Sequence, residues 1–585
     1  MESPRRIKPL LKHRFYLRSI YAYKHCLIRR PKHILNLDCS HSYTAVGETK
    51  AQFKLLKALK LLKPVQKVDL SRFAVLNSQK CHTVILSALK SVSKVPAIQL
   101  EKHDTLHQTG TNAHTKGIKL LPNLRNLVYQ LILLDTPEVE DQQANRMKNP
   151  LRYLKCCPKI QSLTVDVSGE YEGFLKVFQF HKYPTSLKHL FLDVLLDRHD
   201  DQNFVIPFQR FKELESVYLI FNQTLCHNFV IRNIEELSKV PNLQKLVLQF
   251  EGKIFPAIHP MLKKIAERKA LKKLALTCID HYPDEEGLQA LQGFDQLTHF
   301  KISAFVTNSQ ELRQITQSIQ NMATLEYLNI GINNRTQINA GYELQIMCQH
   351  INNFHSLRYL RLFVNDVSRG YVLPSIVPHL RQTLTKAVPL ESLNISCNQL
   401  NPTQTLADLA DLFQGSTASL HTLELYFGIY SPGKQAQETI IHLLQSLHNL
   451  RVFSLRGHVI NSKSYFEKIT NAIHQLKDLR ELTFGKMEEE TVNPSVLQDL
   501  LSKRGLNSFV CKVPETFIYE LKSINKKNPF LELCQLSNNE DGYDRLEEMY
   551  TWDSPVWLGF PTDKPDSLSE WSQSDFFDYD LEDGE

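Results

Sequence analysis

The sharpest chemical motif in this chain is Gly428-Ile429-Tyr430-Ser431-Pro432-Gly433-Lys434-Gln435. Its G-x-x-x-x-G-K spacing is that of a loop whose backbone N–H groups and following helix N-terminus cradle phosphates. Gln435 stands where a magnesium-binding Ser or Thr is required, and neighbouring segments repeat the same strand–loop–helix order without the glycines. Nucleotide binding is therefore not expected, and no cofactor is assigned. Asp197-Arg198-His199-Asp200-Asp201 gathers metal-capable oxygens and an imidazole, but lacks the glycine turn and spaced ligands of a calcium loop. Asp284-Glu285-Glu286 and Glu488-Glu489-Glu490 read as acidic loops or helix starts, where negative charge suits the dipole. Cys81-His82 and Cys226-His227 pair a thiol with an imidazole, yet neither has a third member or a glycine elbow. The expectation is no catalytic residue, no metal site and no enzyme.

Composition narrows the setting. A chain of 585 residues exceeds one ordinary core, so several domains or one long repeat array is expected. No apolar run approaches the roughly 18 residues of a membrane span. Eleven irregularly spaced cysteines without a secretory signal fit reduced thiols, hence a cytoplasmic protein with the nucleus as the alternative. The net charge of +7 hides an asymmetry: residues 1–70 hold 16 Lys/Arg against 4 Asp/Glu, whereas 536–585 hold 15 acids against 2 bases.

The elements that would position any site follow a repeat. LESLNISCNQL at 390–400 fits L-x-x-L-x-L-x-x-N-x-L at Leu390, Leu393, Ile395, Asn398 and Leu400. The same core restarts at Leu124, Ile160, Leu187, Leu214, Leu243, Leu271, Leu297, Leu325, Leu357, Leu390, Leu420, Leu450, Leu479 and Leu506, in steps of 26 to 36 residues. Apolar segments of helical period lie between, at 257–267, 310–320, 341–351, 373–386, 406–413, 438–446, 465–475 and 494–503. Strands at 33–37 and 65–70 and helices at 50–62 and 83–92 make weaker units. The spacing of Leu10, Leu11, Phe15, Leu17, Ile20 and Tyr21 predicts a packed helix in a basic N-terminal cap. The expected division is a cap over 1–33, a solenoid over 34–513 (degenerate to 123), a capping segment over 514–535 with a helix at 517–527, and an acidic, aromatic-rich, disordered tail over 536–585.

The consensus Asn occurs at Asn222, Asn333, Asn365 and Asn398, and is replaced elsewhere by Ser168, Glu251, Ile279, Phe305 or His458. With its long step, the pattern resembles the ribonuclease-inhibitor-like leucine-rich-repeat family over 124–513, and more weakly back to 34. The resemblance implies an α/β leucine-rich-repeat solenoid, a horseshoe with parallel strands on its concave face and helices outside. It also implies a non-catalytic scaffold that binds a protein partner on that face. A ubiquitin-ligase substrate receptor is one version, although residues 1–50 contain no convincing F-box; a nucleic-acid or chromatin contact through the basic N-terminal region, and a small-GTPase regulator, are the others. Period-two alternation places His189, Phe191, Tyr218, Lys245, His299, Lys301, Tyr327, Tyr359, Arg361, Phe363, Tyr426 and Arg456 on the concave face. Tyr, Phe and Arg are interface-enriched types, and the competing reading is a row of ordinary solvated strand positions. The small polar Ser392, Asn394 and Ser396 move the expected contact toward Tyr327 to Phe363. A monomer without membrane contact is expected.

Overall fold

A computed structural model describes most of the chain from 205 to 512, the segments 125–133, 157–168 and 185–195, and isolated strands before 105 and at 532–535. The chain forms two compact units, Met1–Gln296 and Leu297–Glu585.

The first unit carries strands β1 (Phe15–Tyr16), β2 (Asn36–Asp38), β3 (Lys67–Asp69), β4 (Ala97–Asp104), β5 (Asn126–Leu133), β6 (Ser162–Ser168), β7 (His189–Leu195), β8 (Ser216–Asn222), β9 (Lys245–Glu251) and β10 (Lys273–Ile279). Each pairs in parallel with the next. The second unit carries β11 (His299–Val306), β12 (Tyr327–Asn334), β13 (Tyr359–Asp366), β14 (Ser392–Cys397), β15 (Thr422–Tyr430), β16 (Val452–Ile460), β17 (Glu481–Met487), β18 (Ser508–Lys512) and β19 (Glu532–Gln535). These too pair in parallel, in chain order.

Every strand from β5 to β18, within its own unit, begins two residues after a repeat start read from the sequence. The starting side chain is a core residue: Leu297, Leu325, Leu450 and Leu479 are fully buried. So are its partners at the fourth and sixth positions, for example Leu360 with Leu362 and Leu423 with Leu425. Alternation along a strand sends these to one face, and stacking buries them against the copies on either side. One carbonyl just before each strand accepts from two successive N–H groups of the next repeat, as Glu326 O does from Arg358 N at 2.8 Å and Tyr359 N at 3.0 Å. That repeated bond locks the register.

Helices return the chain between strands, and their caps are local. In Ser309–Ile319, Leu312, Ile315 and Ile319 form one buried stripe, and Asn308 Oδ1 accepts from Glu311 N at 2.9 Å at the helix start. Phe255–Glu267, Gly341–Ile351, Pro402–Phe413, Lys434–Ser446, Lys463–Gln475 and Pro494–Ser502 fall where the spacing predicts. The helix expected over 373–386 is instead a 3₁₀ turn at Val377–Leu380 running into Arg381–Leu384.

Other departures are informative. Phe15–Tyr16 is strand where a helix is expected, and helices His227–Leu237 and Glu285–Leu291 and strands β4 and β19 were not expected. β19 extends the parallel series into the segment read as a cap. The helices expected at 50–62, 83–92 and 517–527, the tail, and the Asp197 and Cys81 clusters lie outside the described residues. Among the described residues, Cys157, Cys278, Cys348 and Cys511 are buried free thiols, and no helix is long and apolar enough to cross a membrane.

Candidate functional site

The face of each sheet turned away from the core leucines carries the candidate residues in rows set by strand register. In the first unit His189, Ser216 and Lys245 stand in one row, and Phe191, Tyr218 and Val247 in the next. Phe191 and Tyr218 stack with centroids 4.2 Å apart and planes 13° apart, close to the spacing of neighbouring strands. Desolvation lowers both the His189 imidazole and the Lys245 ammonium from their ordinary pKa values.

The second unit brings the remaining eight candidates together in three adjacent rows. The first contains His299, Tyr327 and Tyr359. His299 stacks on Tyr327 at 5.7 Å and 8°, and Tyr327 lies tilted against Tyr359 at 6.2 Å. Burial pushes the Tyr327 phenol up to about 12. Tyr359 Oη donates to Glu391 Oε2 at 2.8 Å, and Arg358 Nε donates to Glu391 Oε1 at 2.9 Å. Burial works against the charged form of Glu391, and these two donors outweigh it, holding the carboxyl below its ordinary value.

The second row runs Lys301, Asn329, Arg361, Asn394, Glu424 and Ser454. Asn394 Nδ2 donates to Glu424 Oε2 at 2.6 Å, and Arg456 Nη2 approaches the same oxygen at 3.9 Å. The third row runs Ser303, Gly331, Phe363, Ser396, Tyr426 and Arg456. Phe363 therefore sits between Gly331 and Ser396 across the strands, which leaves its ring edges open to a ligand.

The reading of these positions as ordinary solvated ones fails for several of them. Lys301 and Arg361 are each 8% exposed, and Tyr218 is 5% exposed. Residue type had nominated the aromatics and cations but passed over Asn329, Asn394, Glu391 and Glu424, which link them. The signal was present, since Asn329, Asn394 and Glu424 share the period-two phase of the named residues.

The glycine motif at 428–435 is not a phosphate cradle. Gly428 lies inside β15 at φ 78°, and only Ser431, Pro432 and Gly433 separate that strand from the helix Lys434–Ser446. A Cβ on Gly457, itself at φ +72°, would lie 2.0 Å from the Gly428 carbonyl oxygen. The two glycines thus stack a shared bulge across β15 and β16, where the register shifts. Asn461 Nδ2 fastens the connection, donating to Ser431 Oγ at 2.7 Å.

The bulge positions a polar group that residue type alone did not nominate. His458 occupies a consensus Asn position and is fully buried. Its Nδ1 lies 3.0 Å from Tyr430 Oη and its Nε2 2.7 Å from Tyr465 Oη. Burial lowers the imidazole pKa to about 3, so the ring is neutral, with one nitrogen donating and the other accepting. It bridges adjacent repeats as the consensus Asn does.

No protein-family model matches the chain, and no curated protein matches its sequence. Among solved structures it is similar to one titled "Crystal structure of TLR13-ssRNA13 complex", at 13% identity and a TM-score of 0.27, covering 82% of this chain. The chain spans 63% of the length of that protein. It is also similar to one titled "Crystal structure of mouse RP105/MD-1 complex", at 14% identity and a TM-score of 0.26, covering 80% of this chain and 89% of that one. The long repeat step, the parallel register and the helices that return between strands make this chain an α/β leucine-rich-repeat solenoid.

Proposed function

We propose that the chain is a non-catalytic binding scaffold of the ribonuclease-inhibitor-like type, and that the second unit's sheet face, around Tyr327, Tyr359, Arg361 and Phe363, receives a protein partner. One observation carries the reading. A stacked aromatic row lies directly beside a row that alternates cations, amides and a carboxylate, all on rigid strands. Tyr and Arg held in this way offer contact area and directed donors at little entropic cost, the usual composition of an interface centre. The same proposal treats 1–33 as an N-terminal cap, 34–513 as the solenoid, 514–535 as a closing segment and 536–585 as a tail.

The test uses the full-length chain as bait beside a Tyr327→Ala, Tyr359→Ala, Arg361→Ala variant whose melting transition is preserved. The proposal expects the variant to lose partners held by the parent, with retention by the parent little changed at high salt. Retention of every specific partner by the variant would overturn it. Capture that collapses steeply with salt would instead indicate phosphate contacts.

A further inference from the structure

The second unit's sheet face poses a charge problem. In the second and third rows three cations, Lys301, Arg361 and Arg456, share the surface with one carboxylate, Glu424. Long cations on an open sheet face keep their heads in water, and charged groups are seldom covered without opposite charge nearby. Yet Lys301 and Arg361 are each 8% exposed, and the shorter Asn329 and Ser303 beside them are 4% and 2% exposed. This surface suits an acidic cover that also brings rings to the His299–Tyr327–Tyr359 stack.

We propose that residues 536–585 of the same chain are that cover: an acidic, aromatic segment that docks on the Lys301–Arg361 row and competes with the partner for the face. The segment holds 15 acids against 2 bases, with Trp552, Trp557, Trp571, Phe576, Phe577 and Tyr579 among them. Its composition complements the rows in both charge and ring content. Reach is not limiting: β19 lies six strand steps from β13, about 29 Å at ~4.8 Å per step, which about nine extended residues span. Tethering supplies an effective concentration on the order of millimolar, so weak contacts suffice. The face is thereby self-occluded, and a partner must displace the segment to bind. This rests on the face being the binding surface.

The chain's three tryptophans all lie in this segment, so the intrinsic fluorescence of the intact protein reports on it alone. The neutral quencher acrylamide is used, with three proteins compared: the parent, a Lys301→Glu, Arg361→Glu variant, and a variant with Asp575, Asp578, Asp583→Asn and Glu582, Glu585→Gln. The second variant leaves the solenoid untouched, so it decides the matter if the first does not fold. Docking predicts shielded tryptophans in the parent, and a quenching constant about twofold higher in both variants, as covered indoles become water-facing. Tryptophans already fully accessible in the parent overturn the proposal. So does shielding that survives both variants, which would place the segment on another surface, such as the basic N-terminal region. Release of the tryptophans with partner capture unaffected by the alanine variant would sink the function reading while leaving the docking intact. Loss of capture without parental shielding would do the reverse.

Discussion

His458 shows how one side chain couples the fold to solution conditions. Its ring is buried between Tyr430 and Tyr465 with a pKa of about 3, far below the ordinary histidine value. The unfolded chain therefore binds a proton that the folded chain refuses between pH 6.5 and 3. This contribution to stability is fully present above the unfolded pKa and declines as pH falls through that window, by up to about 1.4 kcal/mol per pH unit. Urea unfolding from pH 7.5 to 4.5 should show this decline, and His458→Gln should flatten the pH dependence relative to the parent. Parallel curves for the two proteins would mean that the ring is not held neutral. Gly457 makes a second claim at this scale. Its positive φ and the 2.0 Å approach to the Gly428 carbonyl predict that Gly457→Ala costs about 2 kcal/mol or more. Gly433→Ala meets nothing within 4 Å and should change stability by less than about 0.5 kcal/mol. A phosphate loop would demand both glycines, whereas a strand bulge demands only the first pair.

At the scale of the element, the leucines specify most of the fold. The starts at Leu187 to Leu506 sit in the core of their units because each repeat hides its apolar side only by stacking. Leu357→Ala should accordingly cost about 2 to 5 kcal/mol in chemical unfolding. Asn308→Ala, which removes one helix cap, should cost only about 1 kcal/mol. A Leu357 variant no less stable than the cap variant would contradict the stacked-core description. The elements that escaped the sequence reading did so for physical reasons. β4 follows Val95-x-x-Ile98-x-Leu100, the repeat frame with valine and isoleucine in place of leucine, and β19 is led by Phe530. The helix His227–Leu237 has its buried Val230, Ile234 and Leu237 diluted by asparagines, which are weak helix formers. One of these, Asn233, is wholly buried because its Oδ1 accepts from Ile206 N at 2.7 Å in the preceding repeat. Tertiary hydrogen bonding fixed that residue, and no periodicity could show it. The candidate site was legible in phase but not in linkage: alternation found the faces of β11 to β16, while the Asn394–Glu424 bond needed the register.

For the whole molecule, composition indicates regulation more than it indicates fold. A strongly acidic segment and a strongly basic one at opposite ends of the sequence offer an internal contact that salt can weaken. If the acidic segment covers the Lys301–Arg361 row, raising ionic strength should increase acrylamide quenching of the tryptophans without altering the melting transition of the solenoid. The central claim, that the second unit meets its partner through the face opposite its core leucines, is tested most directly by site-specific photo-crosslinking. A photoreactive phenylalanine analogue is placed at Phe363 on β13, and separately at Gln317, which is exposed on the helix Ser309–Ile319. The account predicts adducts from position 363, to residues 536–585 of the same chain when the protein is alone and to a partner when one has displaced them, with none from position 317. Adducts from 317 with none from 363 would contradict it.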